Sequence, residues 1–230
     1  MRKLGIGLKG QKILDLGTGA GFVARGFALV GTEVIAIDPS KELIEQAKLL
    51  EEAGGATRIK YEIAIAENTQ QPNQYFDVVA AGQCWHWFDS RKALQEVLRV
   101  IKPEGKLVIT HYDWIPLKGN IPELSEKLIL KYNPNWKMHG GNGFYPQWLT
   151  QLIGAGFQGI ETFSFDVMAE YSHEAWCGRV RASAGIAATL TKEEVVQFDE
   201  EHRKELERMF PGDPLSTTSV FCYYGKTLRH

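Results

Sequence analysis

The chain reads as a doubly wound α/β fold on a mostly parallel sheet of seven strands. Three observations carry that expectation. Apolar strand-like runs alternate with helical patterns from the start, the signature of a parallel sheet covered on both faces. The first run, Lys12–Leu16, carries Asp15 and leads through Gly17-Thr18-Gly19-Ala20-Gly21 into a helical pattern. Twenty-one positions after Gly17, a second run, Glu33–Ile37, ends in Asp38.

The elements follow in order. Strands are expected at Lys12–Leu16, Glu33–Ile37, Arg58–Ile65, Phe76–Ala81 and Lys106–His111. Helices are expected at Phe22–Leu29, at Ser40–Ala53 closed by Gly54-Gly55, and at Asp89–Ile101 stopped at Pro103, with Ser40 and Asp89 as N-caps. Between Trp114 and Tyr145, proline and asparagine-proline breaks, a glycine cluster and several aromatics predict a loop-rich cap. Pro146 then opens a helix through Ile153, and an alternating strand follows near Thr162–Val167. Helical segments at Ser172–Thr189 and Thr191–Phe210 precede a last strand at Thr217–Tyr224. Thr191 with Glu194 spells a capping box, and Val195, Phe198, His202, Leu206 and Met209 form a stripe at helical spacing that should face a core. The whole chain is expected to be one domain, with cap insertions at about 114–145 and 172–212.

Composition bounds the function. At 230 residues and 44% hydrophobic content the chain can bury a sizeable core. A formal charge of −2, with acids and bases interspersed, supplies no basic stripe for nucleic acid. No apolar run reaches the length of a membrane span, and no signal peptide is written at the N-terminus, so a cytoplasmic protein is expected. Cys84, Cys177 and Cys222 are scattered and odd in number; packed, reduced thiols are expected, with neither disulfide nor metal site.

Glycines after a strand let the backbone turn tightly and approach a ligand, and the helix that follows offers free amide donors. An acid ending the second strand suits two ribose hydroxyls. Both features point to a nucleotide-type cofactor. In the dinucleotide fingerprint G-x-G-x-x-G counted from Gly17, the third glycine falls at Phe22, so an NAD-linked oxidoreductase fits poorly.

The D-x-G-x-G-x-G run from Asp15 to Gly21 instead resembles motif I of the class I S-adenosylmethionine (SAM)-dependent methyltransferases. Ala80–Phe88, "AAGQCWHWF", with the helices before the last strand, resembles the trans-aconitate methyltransferase-like small-molecule group within the methyltransferase type 11 domain family. The resemblance implies a SAM cofactor leaving as S-adenosylhomocysteine (SAH), a Rossmann-like fold and a small-molecule acceptor methylated on oxygen, nitrogen or carbon, a carboxylate or hydroxyl oxygen being preferred. It implies that Gly17, Thr18, Gly19 and Gly21 surround the methionine moiety, that Asp15 organises the turn or meets the amino group, and that Asp38 meets the ribose. It further implies that Pro39, Ala66, Glu67 and Gln83 are cofactor-binding, Glu67 toward the adenine or alternatively a surface residue without function.

Gln83, Trp85 and His86 follow the fourth strand, at the ligand-facing edge of such a sheet. Trp85 offers an aromatic face to a sulfonium, and His86 is the first choice for a base, with a wall-shaping role as its alternative. His111, Tyr112, Trp114, Trp136, His139 and Tyr145 are second-rank site residues, and Arg179 and Arg181 are alternatively solvated or paired with a carboxylate substrate. Methyl transfer itself demands no metal. Met1 stands about ten residues ahead of the first strand, where relatives of this family usually carry one or two helices. A SAM-binding or SAH-binding protein without turnover is therefore the alternative, and a homodimer would be one way to cover the exposed surface.

Overall fold

Short β-branched and aliphatic runs make the strands, and their order fixes where a ligand can sit. The computed structural model describes residues 2–54, 59–212 and 215–227, with side chains over 3–54 and 59–212. Its seven strands are β1 (Lys12–Leu16), β2 (Glu33–Asp38), β3 (Ile59–Ile63), β4 (Phe76–Gly82), β5 (Ile101–Asp113), β6 (Phe157–Tyr171) and β7 (Leu215–Thr227). They form one sheet in the order β3-β2-β1-β4-β5-β7-β6. The pairs β1–β2, β2–β3, β1–β4 and β4–β5 are parallel. After β3 the chain returns to the other side of β1, so the order reverses at the β1/β4 boundary, the place where doubly wound sheets bind ligands beyond the carboxyl ends of their strands.

The helices are α1 (Phe22–Leu29), α2 (Lys41–Gly54), α3 (Ser90–Val100), α4 (Ile121–Tyr132), α5 (Pro146–Gly154), α6 (His173–Arg181) and α7 (Lys192–Met209). Local chemistry sets their ends. Asp89 accepts the Lys92 amide at the start of α3, Ser172 accepts that of Ala175 at α6, and Thr191 with Glu194 closes a reciprocal box at α7.

Several boundaries differ from expectation. The strand expected from Lys106 begins at Ile101, because pairing resumes past an irregularity between Phe76 and Val78 that absorbs the Pro103 segment, where the ring nitrogen has no proton to give a ladder. The segment expected to be loop-rich contains α4. Its Pro122 sits in the first turn, where no amide is needed, and Asn120 accepts the Glu123 amide as N-cap. Helix α6 stops at Arg181 rather than near Thr189; Gly185 then lies so close to Ile129 and Trp136 that a Cβ there would meet them at 2.8 and 3.1 Å. Of the α7 stripe, Phe198, His202 and Leu206 are buried whereas Met209 is half-exposed. Arg58 and Gly55 lie outside the described residues, as do the side chains of β7, Cys222 included.

The chain divides into two compact units, one of Met1–His111, Tyr145–Phe163 and Cys222–His230, the other of Tyr112–Phe144 and Ser164–Phe221. In the first, Ile6, Ile13, Ala24, Val34, Ala36, Val78 and Val108 form a core under α1. In the second, α4, α6 and α7 bury Ile129, Trp176, Cys177, Val180, Phe198 and Leu206 together. Among the described residues no helix is long and apolar enough to cross a membrane, and no cluster of histidine, cysteine or carboxylate groups could hold a metal ion.

Candidate active site

The turn between β1 and α1 is built by three left-handed glycines, each for a different reason. Gly17 (φ +57°) lies against Cys84, whose Cβ would stand 2.9 Å from an added Cβ. Gly21 (φ +79°) is the N-cap of α1, and an added Cβ would lie 2.9 Å from both the Tyr61 hydroxyl and the Arg25 guanidinium. Gly19 (φ +53°) has nothing within 4 Å of that position. Two of the three therefore meet close neighbours, and the middle one faces open space.

Two carboxylates brace this turn. Asp15 is 1% exposed, and its Oδ2 accepts the Thr18 hydroxyl at 2.6 Å. Its Oδ1 is buried with no hydrogen-bond partner among the described residues. Burial drives its pKa up to about 7, the Asp38 charge adding to the rise and the Thr18 hydroxyl and the Ala24 backbone amide opposing it. Asp38 accepts the Gly19 amide through Oδ2 and the Ser40 amide through Oδ1, both at 2.9 Å, and the Thr18 amide donates to the Ile37 carbonyl at 2.9 Å. A carboxylate has about four lone-pair positions, so Asp38 keeps acceptor capacity after holding both amides. Pro39, next to it, is exposed.

The loop after β3 carries Ala66, which is buried, and Glu67, whose Oε1 accepts the Asp89 amide at 2.8 Å. A second tie holds the same loop. Glu96 Oε1 accepts the Thr69 amide and hydroxyl at 2.9 and 2.6 Å and pairs with Arg99 at 2.6 Å. Burial opposes ionisation of Glu96, but the Arg99 and Thr69 bonds outweigh it and bring its pKa down to about 2.

Beyond β4 the chain enters a short 3-10 turn, Trp85–Trp87. Gln83 adopts φ +64°, a conformation that costs a side-chain-bearing residue about 1–2 kcal/mol. Its amide donates to the Thr110 carbonyl at 2.9 Å, and its Nε2 lies 3.4 Å from His111 Nε2. Trp85 is only 2% exposed, and its indole N–H donates to Gln151 on α5 at 3.0 Å. The open aromatic face expected of Trp85 is therefore absent; it anchors the turn, while Trp87 is 61% exposed. His86 packs with Trp87 (centroids 5.0 Å apart) and edge-on to His111 (5.3 Å). His111 in turn meets Tyr145 and Trp148, which stack at 4.1 Å.

Of these neighbours, Gln151 and Trp148 were not singled out by sequence reasoning, and Cys84 was expected only as a packed thiol. Cys84 donates to the Leu16 carbonyl at 3.1 Å, and burial beside Asp15 and Asp38 pushes its thiol well above the ordinary range, so it packs rather than reacts. Trp148 and Gln151 lie three residues apart on one helix face, the signal that would have linked them. Tyr112, Trp114 and Arg179 lie in the second unit, as do Trp136, His139 and Arg181.

A parallel sheet reversing at β1/β4, a glycine turn braced by two acids and an aromatic turn after β4 define a class of nucleotide-cofactor enzyme folds. Comparison with known proteins narrows the class. Residues 14–109 match the methyltransferase domain family. Over 104 residues the chain is 35% identical to the uncharacterized methyltransferase YcgJ of Bacillus subtilis (strain 168), a match covering 44% of this chain and 41% of that protein. The crystal structure of YcgJ superposes with a TM-score of 0.65 at 21% identity, over 99% of this chain and 96% of that one. The ubiquinone biosynthesis O-methyltransferase of Xanthomonas euvesicatoria pv. vesicatoria (strain 85-10) is 25% identical over 180 residues, 77% of this chain and 72% of that protein. A Haemonchus contortus phosphoethanolamine N-methyltransferase 2, solved with S-adenosyl-L-methionine, aligns at 20% identity and a TM-score of 0.57, over 96% of this chain and 50% of that one. The sequence matches span about two-fifths of the length of curated relatives such as YcgJ. Residues 14–109 are thus similar to methyltransferase domains, and the chain shares the fold of YcgJ.

Proposed function

We propose that this chain binds SAM at the carboxyl ends of β1 and β2 and transfers its methyl group to a small-molecule acceptor, with a carboxylate or hydroxyl oxygen preferred. The carrying observation is the pairing of a buried carboxylate that has one unpartnered oxygen, Asp15, with a glycine turn whose middle position opens onto space. Such an oxygen suits the ammonium of an amino-acid moiety, and the open glycine suits close approach by a ligand. The Xanthomonas and Haemonchus proteins, named for methylation of small molecules, support the acceptor class.

Each residue then has a task. Thr18 orients Asp15 toward the ammonium, and Asp38 accepts from the ribose hydroxyls with its remaining lone pairs. Pro39 borders the ribose. Ala66 and Glu67 border the adenine on a loop held rigid by Asp89 and Glu96. When bound, the cofactor supplies a methyl carbon already activated by a sulfonium. The chain has to align the acceptor with that carbon and exclude water. Gln83 fixes the edge beside His111, and Trp85 holds the turn through Gln151. For a hydroxyl or amine acceptor, His86 takes the proton; a carboxylate acceptor needs no base.

The test is incubation with methyl-labelled SAM and a panel of small carboxylic acids, alcohols and amines. Label in a small product together with SAH supports the reading. SAM binding without transfer to any acceptor makes the chain a binding protein, and absence of binding overturns the site as well.

A further inference from the structure

Four arginines lie in the second unit, and three of them are spoken for. Arg181 pairs with Asp199 at 2.5 Å, Arg203 pairs with Glu174, and Arg208 pairs with Glu205 at 2.6 Å. Arg179 differs. Among the described residues it has no carboxylate within ion-pair distance, and its one hydrogen bond runs from Nη2 to the Tyr112 carbonyl at 3.1 Å. Its Nε–H is buried without a partner among those residues.

Around this unpaired cation stand three aromatic rings. The guanidinium carbon lies 4.9 Å from the Tyr112 ring centre, 5.5 Å from that of Trp114 and 5.9 Å from that of Tyr171. At these distances the rings attract the cation. Glu126 on α4, which accepts the Trp114 indole N–H at 2.9 Å, is also occupied by the Gly140 amide at 2.7 Å. An unpartnered buried donor is costly, and the guanidinium's planar N–H fork fits a planar carboxylate. Tyr112 directly follows His111 on β5.

We propose that Arg179, walled by Tyr112, Trp114 and Tyr171, is a carboxylate-binding residue and that the small molecule handled by this protein is a carboxylic acid anchored there. As an acceptor subsite it rests on the methyltransferase reading; as an anion site it stands alone. The experiment therefore separates the two. Succinate, its uncharged analogue succinamide and inorganic phosphate are titrated calorimetrically into the full-length protein without cofactor, while the Arg179 Nε–H resonance is followed by NMR. SAH binding is measured separately on the same samples.

Succinate should bind with a Kd of about 1 mM, near −4 kcal/mol, and move the Arg179 resonance. Succinamide should be silent and phosphate at least tenfold weaker. Arg179→Met should abolish succinate binding, Arg179→Lys should weaken it about tenfold for want of the planar fork, and Arg181→Met should leave it intact. Near-ultraviolet circular dichroism checks that each variant is folded. No response to succinate, an equal response to phosphate, or an undiminished response in folded Arg179→Met overturns the proposal. Loss of SAH binding alone would instead strike the cofactor reading.

Discussion

A carboxylate held half-protonated at neutral pH makes cofactor affinity pH-dependent in a calculable way. Burial raises the Asp15 pKa to about 7, so the fold favours its neutral form. The contribution to stability is fully present below the unfolded value near 3.8 and is lost as pH rises through about 7. If the ionised form receives the ligand's ammonium, affinity must follow the ionised fraction, the reverse trend. Between pH 5.5 and 7.5 that fraction rises about 25-fold, or about 1.9 kcal/mol of binding free energy. The charged or titratable groups acting on or through Asp15 are Asp38, Cys84 and Tyr61, so the comparison needs a variant at Asp15 itself. Calorimetric titration with SAH, whose amine stays protonated over this range, should show the rise in the wild type and a flat profile in Asp15→Asn. An equal slope in both would refute the assignment of the ammonium to Asp15.

Other outcomes follow from particular contacts. Gly17→Ala puts a Cβ 2.9 Å from Cys84 and should lower stability by about 2–3 kcal/mol, whereas Gly19→Ala, strained but unobstructed, should cost about 1–2 kcal/mol in stability and weaken SAM binding at least tenfold; thermal melts and titrations on both variants check the split. His202 is fully buried beside Ser125, and burial lowers its pKa to about 4, with Arg203 adding to the shift. Its contribution is present above pH 6.5 and lost as pH falls through about 4, so urea unfolding at pH 7 and pH 4 should show about 3 kcal/mol of acid destabilisation that His202→Phe lacks. For His86→Asn, an alcohol or amine acceptor should be methylated at least a hundredfold more slowly with SAM affinity unchanged, and an unchanged rate would reduce His86 to a wall.

The sheet was legible because its signals are local. Lys12–Leu16, Glu33–Ile37 and Phe76–Ala81 are apolar runs bounded by turn residues, and the observed strands differ from them by one residue or none. Asp15, the glycines and Asp38 were legible for the same reason: a backbone that must turn at φ > 0 writes glycine into the sequence. Helix α4 was obscured because Pro122 reads as a breaker unless Asn120 is recognised as the cap before it. Trp85 and Trp87 differ in exposure for reasons that lie far along the chain: the Trp85 indole meets Gln151, sixty-six positions away, and no pattern near the two residues reveals it. The contrast between Arg179 and Arg181 likewise depends on Asp199, eighteen positions beyond Arg181, which no pattern near the two arginines reveals.

The most direct test of the central claim is calorimetric titration of this chain with SAM and with SAH, alongside Asp38→Ala. Binding near the micromolar range, about −8 kcal/mol, weakened at least tenfold in the variant, is the result expected of a cofactor site built on Asp15, Gly19 and Asp38. No detectable binding of either compound to the folded wild-type chain, or equal binding in Asp38→Ala, would contradict it.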